Sequence, residues 1–262
     1  MIGNRILISD ICKKLERYMP KEDVSMVYKA YIVAASAHDG QYRRSGEAYV
    51  FHPINVAMIL AELGFDRDSI IAALLHDCIE DTEITYEDIQ KDFGQDVAFI
   101  VEGVSKLTDL QFKSKKDQQA QNFRKLLLAM SNDMRVIIIK LADRLHNMRT
   151  ISSMSREKQI AISQETIDIH APIARRLGLN SIKIELENIA FETLNPHRSK
   201  VIKQHLKKQF GNFKKNISHV QSEIIERLGD EGVSGALVEG RQKEPYSLYR
   251  KMKYKHQAIR GV

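Results

Sequence analysis

The chain has 262 residues, 43% hydrophobic and 28% charged, with two cysteines, Cys12 and Cys78, far apart in sequence. That composition suits a globular chain in a reducing compartment and excludes a disulfide-stapled secreted scaffold; with no apolar run of about 18 residues and no signal-peptide pattern, no membrane partner is expected and the cytoplasm is the expected location. The net charge of +6 is uneven: from His197 onward 15 Lys/Arg oppose 6 Asp/Glu, leaving 25 bases and 28 acids in the first 196 residues. A basic tail can bind nucleic acid, but Lys-rich amphipathic helices are mostly solvated surface, so no nucleic-acid partner is expected.

In chain order, helices are predicted over residues 5–18 and 21–37, the second apolar along Val24, Val27, Tyr31, Ala34 and Ala35 and stopped at His38-Asp39-Gly40. Gln41–Glu47 reads as a polar loop whose Arg43-Arg44 pair can hold an anion. His52-Pro53 opens the next helix, which Gly64 ends. A helix over 68–81 follows, packed against its predecessor across a short connection. On that helix His76, Asp77, Glu80 and Asp81 share an arc of roughly 140°, while Leu74, Leu75, Cys78 and Ile79 fill the other faces. Buried charge is costly unless it is paired or bound to a metal, so the cluster calls for a cation.

Thr85-Tyr86-Glu87-Asp88 has the form of a capping box and starts a short helix closed by Gly94, with another helix over about 95–106. Thr108–Gln121 is polar and without period: a mobile loop beside the site or a plain connector. Over 133–152 a helix is predicted with Asp143, His146, Asn147 and Thr150 within about 100° of one another and Ile138, Leu141, Leu145 and Met148 opposite. Ser155 can cap a long helix to Leu177, ended by Gly178, and another runs to about 194. A boundary is placed at Pro196, where composition changes, followed by Lys-rich helices at about 197–210 and 213–228 and a Gly-containing break over 229–240.

His52, His76, Asp77 and Asp143 make a two-imidazole, two-carboxylate set drawn from three helices. Nitrogen and oxygen ligands without thiolate suit a borderline or hard divalent ion such as Mn²⁺, Fe²⁺, Zn²⁺ or Mg²⁺ and argue against a structural zinc cage. The pattern points to a metal-dependent phosphohydrolase, with Glu80 and Asp81 one turn on, able to take a proton from an attacking water or to position it. Cys78 reads as a small hydrophobe rather than a thiol ligand.

These motifs resemble a known family. His52, His76-Asp77 and Asp143 look like the scattered signature of the HD superfamily. More narrowly, His38–Arg43, His76–Thr82 and Lys140–Thr150 resemble the hydrolase domain of the RelA/SpoT family of alarmone enzymes, over residues of about 20 to 195. Gly240-Arg241 and Tyr246–Lys253 look like the entry to that family's synthetase domain. The resemblance implies an all-α HD domain at 1–195, then a helical linker and the start of an α/β synthetase domain over 196–262. It implies a Mn²⁺-dependent 3′-pyrophosphohydrolase that converts guanosine 3′,5′-bis(diphosphate) (ppGpp) or pppGpp to GDP or GTP plus pyrophosphate and so controls the stringent response. By matching motif, His52, His76, Asp77 and Asp143 would hold the metal and Glu80 with Asp81 would manage the water. Arg43 would lie against the guanine with Arg44 and Ser45 nearby, and Asn147 and Thr150 would bind the nucleotide near the metal. The intact His-Asp doublet favours the bifunctional or SpoT-like branch, regulated by synthetase and C-terminal regions of a larger protein. The alternatives are an HD phosphohydrolase for another nucleotide and a non-catalytic alarmone sensor.

Overall fold

The computed structural model describes residues 5–108, 133–210, 213–233, 235–240 and 243–255. The predicted loop of 108–121 lies, after its first residue, outside them. Among the described residues the secondary structure is helical, with one isolated antiparallel bridge between Tyr42 and Ala48, and no helix is long and apolar enough to cross a membrane. Two compact units divide between Leu186 and Glu187.

In the first unit, α1 (Ile8–Leu15), α2 (Lys21–Ala37), α3 (Phe51–Glu62), α4 (Arg67–Leu75), α5 (Cys78–Asp81), α6 (Tyr86–Phe93) and α7 (Gln95–Thr108) precede α8 (Met134–Arg149). The core is built around α4, which packs against α2, α3, α7 and α8. Ser69 through Leu75 are all buried, as a helix apolar on every side must be. Fully burying each Ile or Leu of that run contributes about 1.5–3 kcal/mol. α3 is nearly as enclosed, and Gly64 (φ 75°) ends it as predicted. The Thr85 capping box is present, with the Thr85 hydroxyl accepting from Asp88 N–H and the Asp88 carboxylate accepting from Thr85 N–H.

Two helix expectations are corrected. The helix predicted over 68–81 is broken: α4 stops at Leu75, His76-Asp77 form a turn with Asp77 at φ −97° and ψ −5°, and α5 restarts at Cys78. The carbonyl of Ala73, which an unbroken helix would offer to the N–H of Asp77, lies 2.9 Å from His76 Nδ1. The helix from Ser155 is also not uniform. It runs as α9 (Arg156–Glu165), a π-helical turn (Thr166–His170) and α10 (Ala171–Arg176), and the Ser155 side chain makes no capping bond. Pro172 lacks an N–H and crowds the preceding turn, and the wider π turn accommodates it.

α11 (Asn180–Leu194) contains the division between the units, upstream of the composition change at Pro196. Its latter part belongs with the second unit, which continues with α12 (Pro196–Phe210), α13 (Phe213–Asp230) and α14 (Pro245–Lys255). The core of that unit is Phe191, Ile202, Leu206 and Leu248, with Phe191 stacked on Tyr249 at 4.6 Å between ring centres.

Candidate metal centre

Three elements bring four side chains together. His52 sits in the first turn of α3, His76 and Asp77 form the break between α4 and α5, and Asp143 is midway along α8. Nitrogen or oxygen atoms of His52, His76 and Asp143 all lie within 4.8 Å of one another. His52 Nε2 is 3.2 Å from Asp143 Oδ1 and 3.6 Å from Asp77 Oδ2, and His76 Nε2 is 3.2 Å from Asp77 Oδ2. The break in the helix makes this closeness possible, because on a regular helix adjacent residues diverge by about 100°.

Each member is held from behind. The Tyr49 hydroxyl donates to Asp77 Oδ2 at 2.6 Å and lies 3.1 Å from Asp81 Oδ2. Asn147 Nδ2 donates to Asp143 Oδ1 at 2.5 Å, and Lys140 Nζ stands 3.2 Å from Asp143 Oδ2. Burial works to raise the Asp143 carboxyl, but Lys140 and His52 hold it well below the usual carboxylate range. Burial likewise opposes ionisation of Asp77, and His76 and His52 outweigh it. Burial also pushes His52 down, towards the neutral imidazole. A carboxylate binds a cation when ionised and an imidazole when neutral, so the directions for Asp77, Asp143 and His52 are those that favour cation binding.

The donor set fits a divalent ion on a further observation. The Ala73 carbonyl can only accept, so His76 donates to it from Nδ1, and Nε2 is the nitrogen that faces Asp77. That Nε2 is buried, makes no hydrogen bond, and faces a carboxylate oxygen at 3.2 Å. A buried ring nitrogen and a carboxylate oxygen that face each other without a hydrogen bond are a pair that a divalent cation between them would satisfy. With no thiolate in the set, the chemistry suits a borderline or hard ion. Cys78 is buried, and burial beside Asp77 pushes its thiol up to about 12, so it packs as an apolar group.

The other sequence-predicted residues divide. A turn closed by Gly46 N–H on the Arg43 carbonyl, with Gly46 at φ 81°, aims Arg43 inward. Its guanidinium reaches His146 Nδ1 at 3.1 Å and Asn147 Oδ1 at 2.5 Å. Arg44 and Ser45 are exposed at the tip of that turn. The Thr150 hydroxyl donates within its own helix end, to the carbonyls of His146 and Asn147. Glu80 is half-buried and Asp81 exposed, one turn past the doublet. Sequence reasoning gave no role to Tyr49, Lys140 or His146. Tyr49 and Lys140 stand three residues before His52 and Asp143, one helical turn away, which is the signal that was available.

A family model described as HD domain matches residues 30–180. The chain belongs to the HD-domain family. This HD chain is 48% identical over 256 residues to the Bifunctional (p)ppGpp synthase/hydrolase SpoT of Escherichia coli K12, covering 98% of the chain and 36% of that protein. It is 48% identical over 247 residues to the Guanosine-3′,5′-bis(diphosphate) 3′-pyrophosphohydrolase of Vibrio cholerae, covering 94% of the chain and 35% of that protein. A solved chain reported as a metazoan orthologue of SpoT that hydrolyses ppGpp is 28% identical, covers 65% of this chain and 96% of its own, and superposes with a TM-score of 0.49. The HD chain is thus a SpoT-like region that spans about a third of the length of the curated relatives it matches.

Proposed function

We propose that this HD domain hydrolyses the 3′-diphosphate of ppGpp or pppGpp, giving GDP or GTP and pyrophosphate, with Mn²⁺ held by His52, His76, Asp77 and Asp143. The observation that carries the reading is the convergence of the buried His52, His76 and Asp143, with the half-buried Asp77 carboxylate within 3.6 Å of both imidazoles. The similarity to proteins named for this hydrolysis supplies the substrate. When bound, the ion would polarise a phosphoryl oxygen and lower the pKa of a water.

The chain's own residues do the rest. Glu80 and Asp81 accept the proton of the attacking water, a role typically worth about 10²–10⁴-fold in rate. Tyr49, donating to Asp77 and within reach of Asp81, keeps those carboxylates in register. Arg43 presents a planar guanidinium to the guanine, Asn147 and Thr150 face the nucleotide end nearest the ion, and Arg44 with Ser45 meet it from the turn. The same reading makes residues from Pro196 onward a linker and the start of a synthetase domain, in a cytoplasmic protein whose further regions regulate the hydrolase.

Pyrophosphate release from ppGpp tests this. Release that needs Mn²⁺, stops with chelator and is abolished in Asp77→Ala is expected. Binding of ppGpp with no turnover in Mn²⁺, or turnover that survives Asp77→Ala, would overturn it.

A further inference from the structure

Between α2 and the turn that carries Arg43 stand His38-Asp39-Gly40-Gln41, folded so that the Gln41 N–H donates to the His38 carbonyl at 3.1 Å. The side chain of Gln41 points to α5, forty residues on, where its Nε2 donates to the Asp81 carbonyl at 3.0 Å. That carbonyl closes a helix of four residues, and the last carbonyls of a helix have no partner within it. The other end of the Gln41 amide is gripped as well, with Oε1 2.9 Å from Nδ1 of the buried His38. His38 Nε2 in turn lies 3.8 Å from Cys78 Sγ. The segment thus touches α5 at its first residue and at its last.

His38 supports Tyr49 too. The two rings stack at 4.5 Å between centres, and the Tyr49 N–H donates to the Gln41 carbonyl at 3.0 Å. The Tyr49 hydroxyl lies 2.6 Å from Asp77 Oδ2 and 3.1 Å from Asp81 Oδ2. Asp81 is therefore held twice from one place, by its carboxylate through Tyr49 and by its backbone through Gln41. A helix of four residues does not sustain itself in water, so α5 takes its position from these contacts and from the buried Cys78. Water reaches the bond from Gln41 to Asp81, so that bond sets direction more than overall stability.

We propose that Gln41 is a positioning residue for the hydrolysis: by holding the end of α5 it sets the Asp81 carboxylate against the attacking water, and it ties that carboxylate to the turn that aims Arg43. The inference rests on the reading of Asp81 as a proton acceptor. Arg43 and Asp81 come from segments far apart in sequence, and the Gln41 amide joins them. A displacement of about 1 Å in such an arrangement can cost about 10²-fold in rate.

The test uses the whole chain with Mn²⁺ and ppGpp. Gln41→Met keeps the length of the side chain and removes both hydrogen bonds. Gln41→Glu keeps the shape and the oxygen beside His38 but offers the Asp81 carbonyl no donor. Both should lower kcat by about 10–100-fold, with KM and Mn²⁺ affinity within about threefold of wild type. A side chain that merely fills space would be replaced by Glu without that loss. In Asp81→Asn, whose backbone carbonyl is unchanged, adding Gln41→Met should cost no more than about twofold, because the carboxylate that Gln41 places is already gone. A readout without turnover completes the set: in Gln41→Met, hydrogen exchange at the amides of Glu80, Asp81 and Thr82 should quicken by about threefold or more, with α3 unchanged.

Unchanged kcat in either variant would overturn the proposal. So would a rise in KM with kcat intact, weakened Mn²⁺ binding, additive losses in the double variant, or unaltered exchange in α5. Absence of turnover in wild type, with exchange in α5 quickened as expected, would sink the catalytic reading and leave Gln41 as the clasp of α5.

Discussion

Asp77 is the residue at which the site's parts meet. It faces both imidazoles with one oxygen and takes the Tyr49 hydroxyl on that same atom. Tyr49→Phe removes the donor while keeping the ring stacked on His38 at 4.5 Å, so the fold should hold and Mn²⁺ affinity should fall by about tenfold, measured by titration calorimetry. Sequence alone showed the chemistry of the four candidate ligands, because buried acids and imidazoles are rare enough to stand out. It did not show Tyr49 or Lys140, whose residue types are common on ordinary helix faces. Away from the site, His170 is buried in the π turn, and burial, with Arg144 nearby, holds its pKa well below 6.5. The unfolded chain then binds a proton that the folded chain refuses, so stability is full above about pH 6.5 and falls as the pH drops below it. Between pH 7.5 and 5.5 this one group should remove stability on the order of 1 kcal/mol. Urea midpoints should show that loss reduced by the same amount in His170→Leu, and an unchanged pH slope would contradict the assignment.

Among the elements, α4 and α8 were legible as buried helices because their apolar residues leave no solvent face or only a narrow one. The break at His76-Asp77 was not legible. Nothing in local propensity disfavours a helix there, and the interruption serves contacts to residues distant in sequence: His52 and Asp143 from the break itself. The π turn before Pro172 was hidden for a similar reason, since proline near a helix start is usually accommodated without it. Packing between α7 and α8 offers a further check. A Cβ on Gly103 would lie 2.8 Å from Cγ2 of Val136, a stiff β-branched neighbour. Gly103→Ala should therefore destabilise by about 1–2 kcal/mol despite the better helix propensity of alanine, and Val136→Ala in the same chain should recover part of that in urea unfolding.

At the scale of the molecule, the first unit, nearly balanced in charge, carries the whole candidate site, and the basic excess lies beyond it, in α12–α14 and the residues that follow. The sequence placed its boundary at the change of composition, whereas the compact units divide inside α11. Asn188 and Phe191 of that helix take partners in the second unit, with Asn188 Nδ2 donating to Glu244 at 2.8 Å. Composition reports solvent-facing residues, and a helix shared between units keeps one solvent face throughout. Phe191→Ala, by emptying the second core, should cost about 3–5 kcal/mol in that unit, and hydrogen exchange should show the loss in α12 and α14 with the amides of α3 and α4 unaffected.

The account turns on one cation held by side chains from three separate elements, and anomalous diffraction from crystals soaked in Mn²⁺ locates such an ion directly. The expected result is one strong peak at about 2.0–2.3 Å from His52 Nε2, His76 Nε2 and carboxylate oxygens of Asp77 and Asp143. Mn²⁺ at saturating concentration with no peak there, or with the ion held by Glu80 and Asp81 alone, would contradict it.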